Sequence, residues 1–202
     1  QAFDIEVSND DVVITSVANF YPVFKNHEVL VRACKLLSDQ GQNKYHLLLA
    51  GSGCNIEKIR ELVATCGLGA KIHFLGHVHN IPDLLFHSDI KVLSSDSEAS
   101  PIALMEAMFL KKPIVGTDIP GIRGVLANGH VGLLFAKNNE VDLAKKITQL
   151  IADPVYAGVL ADRAYDYALM HYSSVAYKEK LMLFMHKIAE DVLPRVQKIQ
   201  GQ

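Results

Sequence analysis

Short β-branched runs alternate with segments of helical period along most of this chain, and that alternation restricts the fold more than any other feature. Val12 to Ala18, Tyr45 to Ala50, Lys71 to Leu75, Ile90 to Ser94, Pro113 to Thr117 and Gly132 to Phe135 read as strands. Between them, His27 to Gln40 carries Val29, Leu30, Ala33, Leu36 and Leu37 at helical spacing. Asn55 to Cys66 reads as a helix stopped by Gly67, and Asp83 to His87 and Pro101 to Leu110 as shorter ones. Strands that are apolar throughout need helices over both faces. Strand–helix–strand repetition makes right-handed crossovers and a parallel sheet. The expectation is therefore an α/β fold: a Rossmann-like, doubly wound, mainly parallel six-stranded sheet with helices on both faces. From Asn139 onward the chain reads as helical, over Val141 to Ala152, Val155 to about His171 and Val175 to about Ala189. No Gly/Ser-rich or Pro-rich linker sets this tail apart. Residues 1–202 thus read as a single domain, with a sheet core over about 11–136 and a helical tail over about 139–192.

Half of the 202 residues are apolar, enough for a sizeable core. The formal charge of −2, with acids and bases intermixed, gives no basic face for nucleic acid. The first residues lack the basic and apolar regions of a signal peptide, and no apolar run approaches the roughly 20 residues of a membrane span. The expectation is a soluble, cytoplasmic chain, with a peripheral position at the inner face of the membrane left open. Cys34, Cys54 and Cys66 fit no zinc spacing, and an odd count makes a poor disulfide framework, so they read as reduced thiols.

In doubly wound sheets, ligands bind at the carboxyl ends of the strands. One such loop is rich in chemistry: Ser94-Ser95-Asp96-Ser97-Glu98-Ala99-Ser100-Pro101, running into Ile102-Ala103-Leu104-Met105-Glu106. Ser100 reads as a helix N-cap and Pro101 as the first helical residue. A helix that starts at a strand end presents free N–H groups and a positive dipole end, which suits a phosphate. Glu98 precedes that helix by one turn, and Glu106 lies in its second turn, roughly 7–8 Å along the axis. Glu106 sits among Ala103, Leu104, Met105, Ala107, Met108 and Phe109, and an acid in so apolar a helix needs a partner or a ligand. Two carboxylates on either side of an anion site suit a hydroxyl-rich ligand with a diphosphate in its middle. The bland reading is a solvated loop acid and an exposed helix acid.

The ordered set of segments resembles the group 1 glycosyltransferases, the retaining family of GT-B fold that uses nucleotide-sugar donors. The resemblance rests on E-A-S-P-I-A-L-M-E-A-M followed by K-K-P-I-V-G-T-D-I-P-G. It extends to V-A-N-F-Y-P-V-F-K-N-H-E-V-L-V-R-A, L-L-L-A-G-S-G, I-H-F-L-G-H-V-H-N-I-P-D-L-L and A-N-G-H-V-G-L-L-F, over roughly residues 11 to 190. It implies one half of a GT-B fold, the donor-binding half. By the same resemblance Glu106 holds the donor ribose, Glu98 the transferred sugar, the amides of Ile102 and Ala103 the distal phosphate, Lys25 the diphosphate, and the Val78 backbone the base. Ser100 and Gly53 belong to the same donor site. The donor is a UDP, GDP or ADP sugar. No cofactor and no metal are expected, because Lys25 and the helix end can meet the charge that grows on the leaving diphosphate.

Several positions depart from the family. Asn19 stands where an Arg is usual, Lys25 is followed by Asn26-His27, Pro101 replaces a common Gly, and Gly124 replaces an acid in the loop after the fifth strand. Asn19 supplies a hydrogen-bond donor but no charge. Gly51-Ser52-Gly53 begins like a dinucleotide fingerprint, yet Ile56 takes the place of the third glycine and the turn follows the second strand. His77 and His79 read as a surface pair. His27 reads either as a phosphate contact or as a cap.

In this family the acceptor site and a key histidine lie in an amino-terminal domain, and nothing in this sequence can stand for them. The expected partners are therefore the donor, that amino-terminal domain, and an acceptor glycan or glycolipid reached through it, with no nucleic acid. Alone, the chain is expected to bind a nucleotide sugar and transfer nothing, with no catalytic residue of its own. The context that the resemblance implies is polysaccharide or glycoconjugate synthesis. Two alternatives share the fold: a sugar-nucleotide epimerase and a non-catalytic nucleotide-sugar-binding module.

Overall fold

A computed structural model of the chain describes residues 5–21 and 23–186. The elements run β1 (Val12–Val17), α1 (His27–Asp39), β2 (Tyr45–Ala50), α2 (Ile56–Thr65), β3 (Ile72–Gly76), α3 (Ile81–Phe86), β4 (Ile90–Leu93), α4 (Ile102–Phe109), β5 (Ile114–Thr117), α5 (Pro120–Val125), β6 (Leu133–Phe135), α6 (Glu140–Ala152) and α7 (Pro154–Tyr172). The six strands form one parallel sheet in the order β3-β2-β1-β4-β5-β6. The chain therefore winds outward from β1 in one direction, returns, and winds outward from β4 in the other. The reversal between β1 and β4 opens a crevice at their carboxyl ends.

Side-chain alternation divides the core. Ile14, Leu47, Leu49, Val92, Val115 and Phe135 pack with Leu30, Leu37, Ile59, Leu143 and Ile147 of α1, α2 and α6. On the other face Leu48 and Ala50 pack with Val78 and Leu84, joined by Val13, Val17 and Leu75. α1 begins at Asn26, whose left-handed backbone (φ 44°) lets its side chain accept from the Val29 N–H. Leu30, Ala33 and Leu37 then face the sheet, and the helix packs on α6. Truncating Leu30 or Leu37, both fully buried, costs about 2–5 kcal/mol. α2 stops at Gly67, which takes the left-handed conformation (φ 70°) of a helix terminator.

The expected strands and the four helices read between them are present. α5 was not expected: Gly121 and Gly124 weaken its helical pattern, and Pro120 opens it instead of breaking a strand. Gly124 accordingly sits inside a helix and not in the loop after β5. The tail is helical over α7 and over 174–186, and the expected continuation to about Ala189 lies outside the described residues. The chain forms two compact units, which divide between Tyr165 and Asp166. Within the second, Tyr167 stacks on His171 with ring centroids 4.1 Å apart. Leu181, Leu183 and Phe184 of that helix are exposed.

Candidate functional site

The loop after β1 and the turn after β2 are laced together. The Ala18 N–H donates to the Ala50 carbonyl at 2.9 Å, Phe20 N–H to Ser52 at 2.9 Å, and Asn55 N–H back to Phe20 at 3.1 Å. Gly53 makes this possible. Its φ is +153°, and a Cβ there would stand 2.4 Å from the Phe20 carbonyl carbon. Gly53 thus serves the approach of two backbones; Gly51, not Gly53, lies on the cleft wall. Asn19 joins the lacing, its Oδ1 accepting from the Ser52 N–H at 3.3 Å.

Above β1, β2 and β3 the lacing leaves a cleft of about 340 Å³, walled by Asn19, Lys25, Gly51, His77, Val78 and Ile81. Val78 is buried, and its backbone groups meet no hydrogen-bond partner among the described residues. Lys25 ends a single 3-10 turn and reaches across the crevice to Glu98, with Nζ 2.5 Å from Oε1. Both side chains are largely shielded from solvent. The two loops are also tied through their backbones: Ser94 Oγ donates to the Lys25 carbonyl at 3.0 Å, and the Asp96 N–H to Phe24 at 2.6 Å. Asn26 Nδ2 donates to Asp96 and, at 2.7 Å, to Asn138. On the far side, α5 presses its Gly121 against Glu98. A Cβ at Gly121 would lie 1.9 Å from the Glu98 carbonyl oxygen, so only glycine fits.

The start of α4 differs from expectation. Pro101 (φ −72°, ψ 101°) is the N-cap and Ile102 the first helical residue, so Ser100 does not cap the helix. Proline has no side-chain acceptor, which leaves that end of α4 without a side-chain cap. The consequence favours a ligand. The missing N–H of Pro101 falls outside the helix, and the Ile102 and Ala103 amides have no partner among the described residues. Ile102 itself is exposed. Further along α4, Glu106 is partly buried and its carboxylate accepts no hydrogen bond from the described residues.

Beneath Glu106 lies a residue that the sequence reading passed over. Lys91, inside the apolar run of β4, is wholly buried, and its Nζ meets no hydrogen-bond partner among the described residues. Burial holds its pKa down to about 7, with the Glu106 charge pulling the other way. The signal was legible: a lysine in a strand expected to be covered on both faces. His27 is likewise buried and stacks on Phe20, centroids 4.0 Å apart. Burial pushes its pKa down to about 4, against a contact with the Ala18 backbone and helped by Lys25 and Lys91. It is the first residue of α1 and not its cap, and a neutral ring brings no charge to a phosphate. His77 and His79 meet edge to face at 4.7 Å. Among the described residues no three His, Cys, Asp or Glu side chains gather to hold a metal ion. No helix there is long and apolar enough to cross a membrane.

Asn19, Lys25 and Val78 therefore share one cleft, and Lys25 brings Glu98 to it. Ile102, Ala103 and Glu106 line up along α4. Gly53 and Ser100 stand behind these groups. A larger hollow of about 640 Å³, lined by Ile5, Asp11, Val13, Leu48, Asp83 and His87 among others, lies toward the amino end of β1. It has two acids and no lysine or arginine on its wall, a poor setting for a phosphate.

Residues 1–168 match the family described as glycosyl transferases group 1. N-acetyl-alpha-D-glucosaminyl L-malate synthase of Bacillus anthracis is 27% identical over 187 residues, 93% of this chain and 47% of its own length. A Campylobacter jejuni N,N'-diacetylbacillosaminyl-diphospho-undecaprenol alpha-1,3-N-acetylgalactosaminyltransferase is 33% identical over 113 residues, 56% of this chain and 30% of its own. The crystal structure of Anabaena HepE in complex with UDP superposes with a TM-score of 0.81 at 20% identity, over 88% of this chain and 49% of that one. In the first and third of these matches, the chain spans about half the length of the relative. The Rossmann-like sheet, the reversal between β1 and β4 and the match over 1–168 agree: this chain belongs to the group 1 glycosyltransferases.

Proposed function

We propose that this chain is the donor-binding part of a glycosyltransferase that moves a sugar from a nucleoside diphosphate sugar to an acceptor, with retention, in polysaccharide or glycoconjugate synthesis. One observation carries the reading: Lys25 and Glu98 meet across the β1–β4 crevice beside the uncapped start of α4. In this reading the diphosphate lies on the Ile102 and Ala103 amides, within reach of Lys25. The base enters the cleft beside Val78, Glu106 takes the ribose hydroxyls, and Glu98 the hydroxyls of the sugar. As the sugar–phosphate bond breaks, negative charge grows on the departing diphosphate. Lys25 and the helix end are fixed to meet that charge without reorganising. The HepE structure, which shares this fold, is a complex with UDP, and that supports a nucleotide-bearing donor. An amino-terminal domain completes the active site and brings the acceptor. The chain alone binds the donor and transfers nothing.

Calorimetry with UDP-, GDP- and ADP-glucose tests this. Saturable binding to at least one is expected, and Lys25→Ala and Glu106→Ala should each weaken it by about tenfold or more, a loss of at least ~1.4 kcal/mol. Their unfolding transitions should stay close to the parent's. A folded chain that binds none of the three sugars contradicts the proposal.

A further inference from the structure

Among Lys, Arg, His, Asp and Glu, Lys91 is the one residue in the described strands that is fully buried, and no described residue hydrogen-bonds its amine. A buried ammonium without a hydrogen bond costs several kcal/mol. Replacing it by a hydrophobic residue is the simple remedy, so its presence asks for a state in which the charge is used. Its surroundings point to one. In the sheet register Lys91 lies beside Thr15 of β1, whose hydroxyl is already engaged with Ser88 at 2.5 Å. β1 and β5 carry no ionisable side chain, and β4 carries no other. α4, which packs on β4 and β5, carries Glu106 alone. From α1, the ring of His27 lies within electrostatic reach. Among the described residues Glu106 is thus the only acid whose charge reaches Lys91, yet the two form no ion pair in the resting protein.

We propose that Lys91 is a positioning residue for Glu106: a buried cation that closes on the carboxylate when ligand hydroxyls cover it, taking up a proton from the medium as it does. The inference rests on the reading of this crevice as a nucleotide-sugar site. A carboxylate that accepts two hydroxyls loses its water, and a cation from below offsets that loss. The diphosphate at the head of α4 adds negative charge on the same side. Both favour the protonated amine, so donor binding and protonation of Lys91 reinforce each other. Binding then weakens as the pH rises from neutrality. A one-unit rise in the amine's pKa on binding corresponds to about a tenfold fall in affinity across that window.

The test is calorimetry with UDP-glucose on the parent, Lys91→Met, Glu106→Gln and the double variant, between pH 6.5 and 8.5, in two buffers of different ionisation heat. UDP-glucose is used because its diphosphate bears no terminal phosphate to titrate. Three results are expected. The parent takes up a fraction of a proton on binding, and its affinity falls with pH. Lys91→Met binds about tenfold more weakly near pH 6.5, with a flatter profile. Lys91→Met has little further effect in the Glu106→Gln background. His77, on the cleft wall, is common to all four proteins and cancels in the comparison. A parent that binds with the same pH profile as Lys91→Met, or additive losses in the double variant, overturns the inference and leaves the donor site standing. A folded parent that binds no nucleotide sugar overturns both. If Lys91→Met does not fold, Glu106→Gln takes its place: absence of proton uptake by the parent, or the same uptake in Glu106→Gln, overturns the inference.

Discussion

His27 and His73 both hold their rings neutral further into acid than a free imidazole. For His27 the cause is burial, which takes it down to about 4; for His73 it is burial and then the neighbouring His46, 2.9 Å away between ring nitrogens. A base whose folded pKa is lowered binds fewer protons folded than unfolded across the interval between the two values. Stability is therefore intact above about pH 6.5 and falls as the pH drops toward 4. His27 alone should account for about 2–3 kcal/mol of that loss. Urea unfolding at pH 7, 5.5 and 4.5 checks it, and His27→Phe, which keeps a ring against Phe20, should flatten the slope. Lys91 works in the opposite pH range. Its cost is complete below about pH 7 and is relieved as the pH rises toward the unfolded value, so Lys91→Met should raise stability at neutral pH by ~1–4 kcal/mol. Glu98 offers a sharper separation of roles. It neutralises Lys25 at rest, so Glu98→Gln should tighten binding of UDP, which lacks the sugar, while weakening UDP-glucose relative to UDP.

At the scale of elements, the crevice depends on backbones that only glycine lets meet. Gly121→Ala would drive a methyl into the Glu98 carbonyl, so α5 or the Glu98 loop must shift. The expected outcome is a loss of about 1–3 kcal/mol in stability, with nucleotide-sugar affinity reduced at the same time; denaturant unfolding and calorimetry on the same preparation check both. The strands and the long helices were legible in the sequence, since apolar runs and 3.6-residue spacing decide them. Lys25, Glu98, Glu106 and the Ile102–Ala103 pair stood out as candidates because their order along the chain carries the family resemblance, and the structure brings Lys25 to Glu98. What escaped was what distant segments do to each other. Gly53 and Gly121 look like turn residues until Phe20 and Glu98 are seen against them. Ser100-Pro101 has the residue types of a cap, but the backbone at Pro101 is extended and the helix begins one residue later. α5 carries two glycines in six residues, and its stability comes from burying Ile122 and Val125.

For the whole molecule, the consequence is a division of labour. This chain spans about half of the Bacillus anthracis relative and half of HepE, and in the proposed reading its crevice holds the donor while the acceptor comes with an amino-terminal domain. The helix over 174–186 leaves Leu181, Leu183, Phe184 and Met185 in solvent. By helical spacing Leu181, Phe184 and Met185 share one side of that helix, and an exposed apolar side of this kind associates. Sedimentation should therefore show concentration-dependent self-association of this chain, reduced by Leu181→Glu with Phe184→Glu. A donor seated at the head of α4 is tested most directly by titrating isotope-labelled protein with UDP-glucose and following the backbone amide resonances. Ile102 and Ala103 should shift most, with Val78 and Lys25 following in the same saturating curve. Shifts confined to the larger hollow beside Asp11, Asp83 and His87, with Ile102 and Ala103 unmoved, would contradict it.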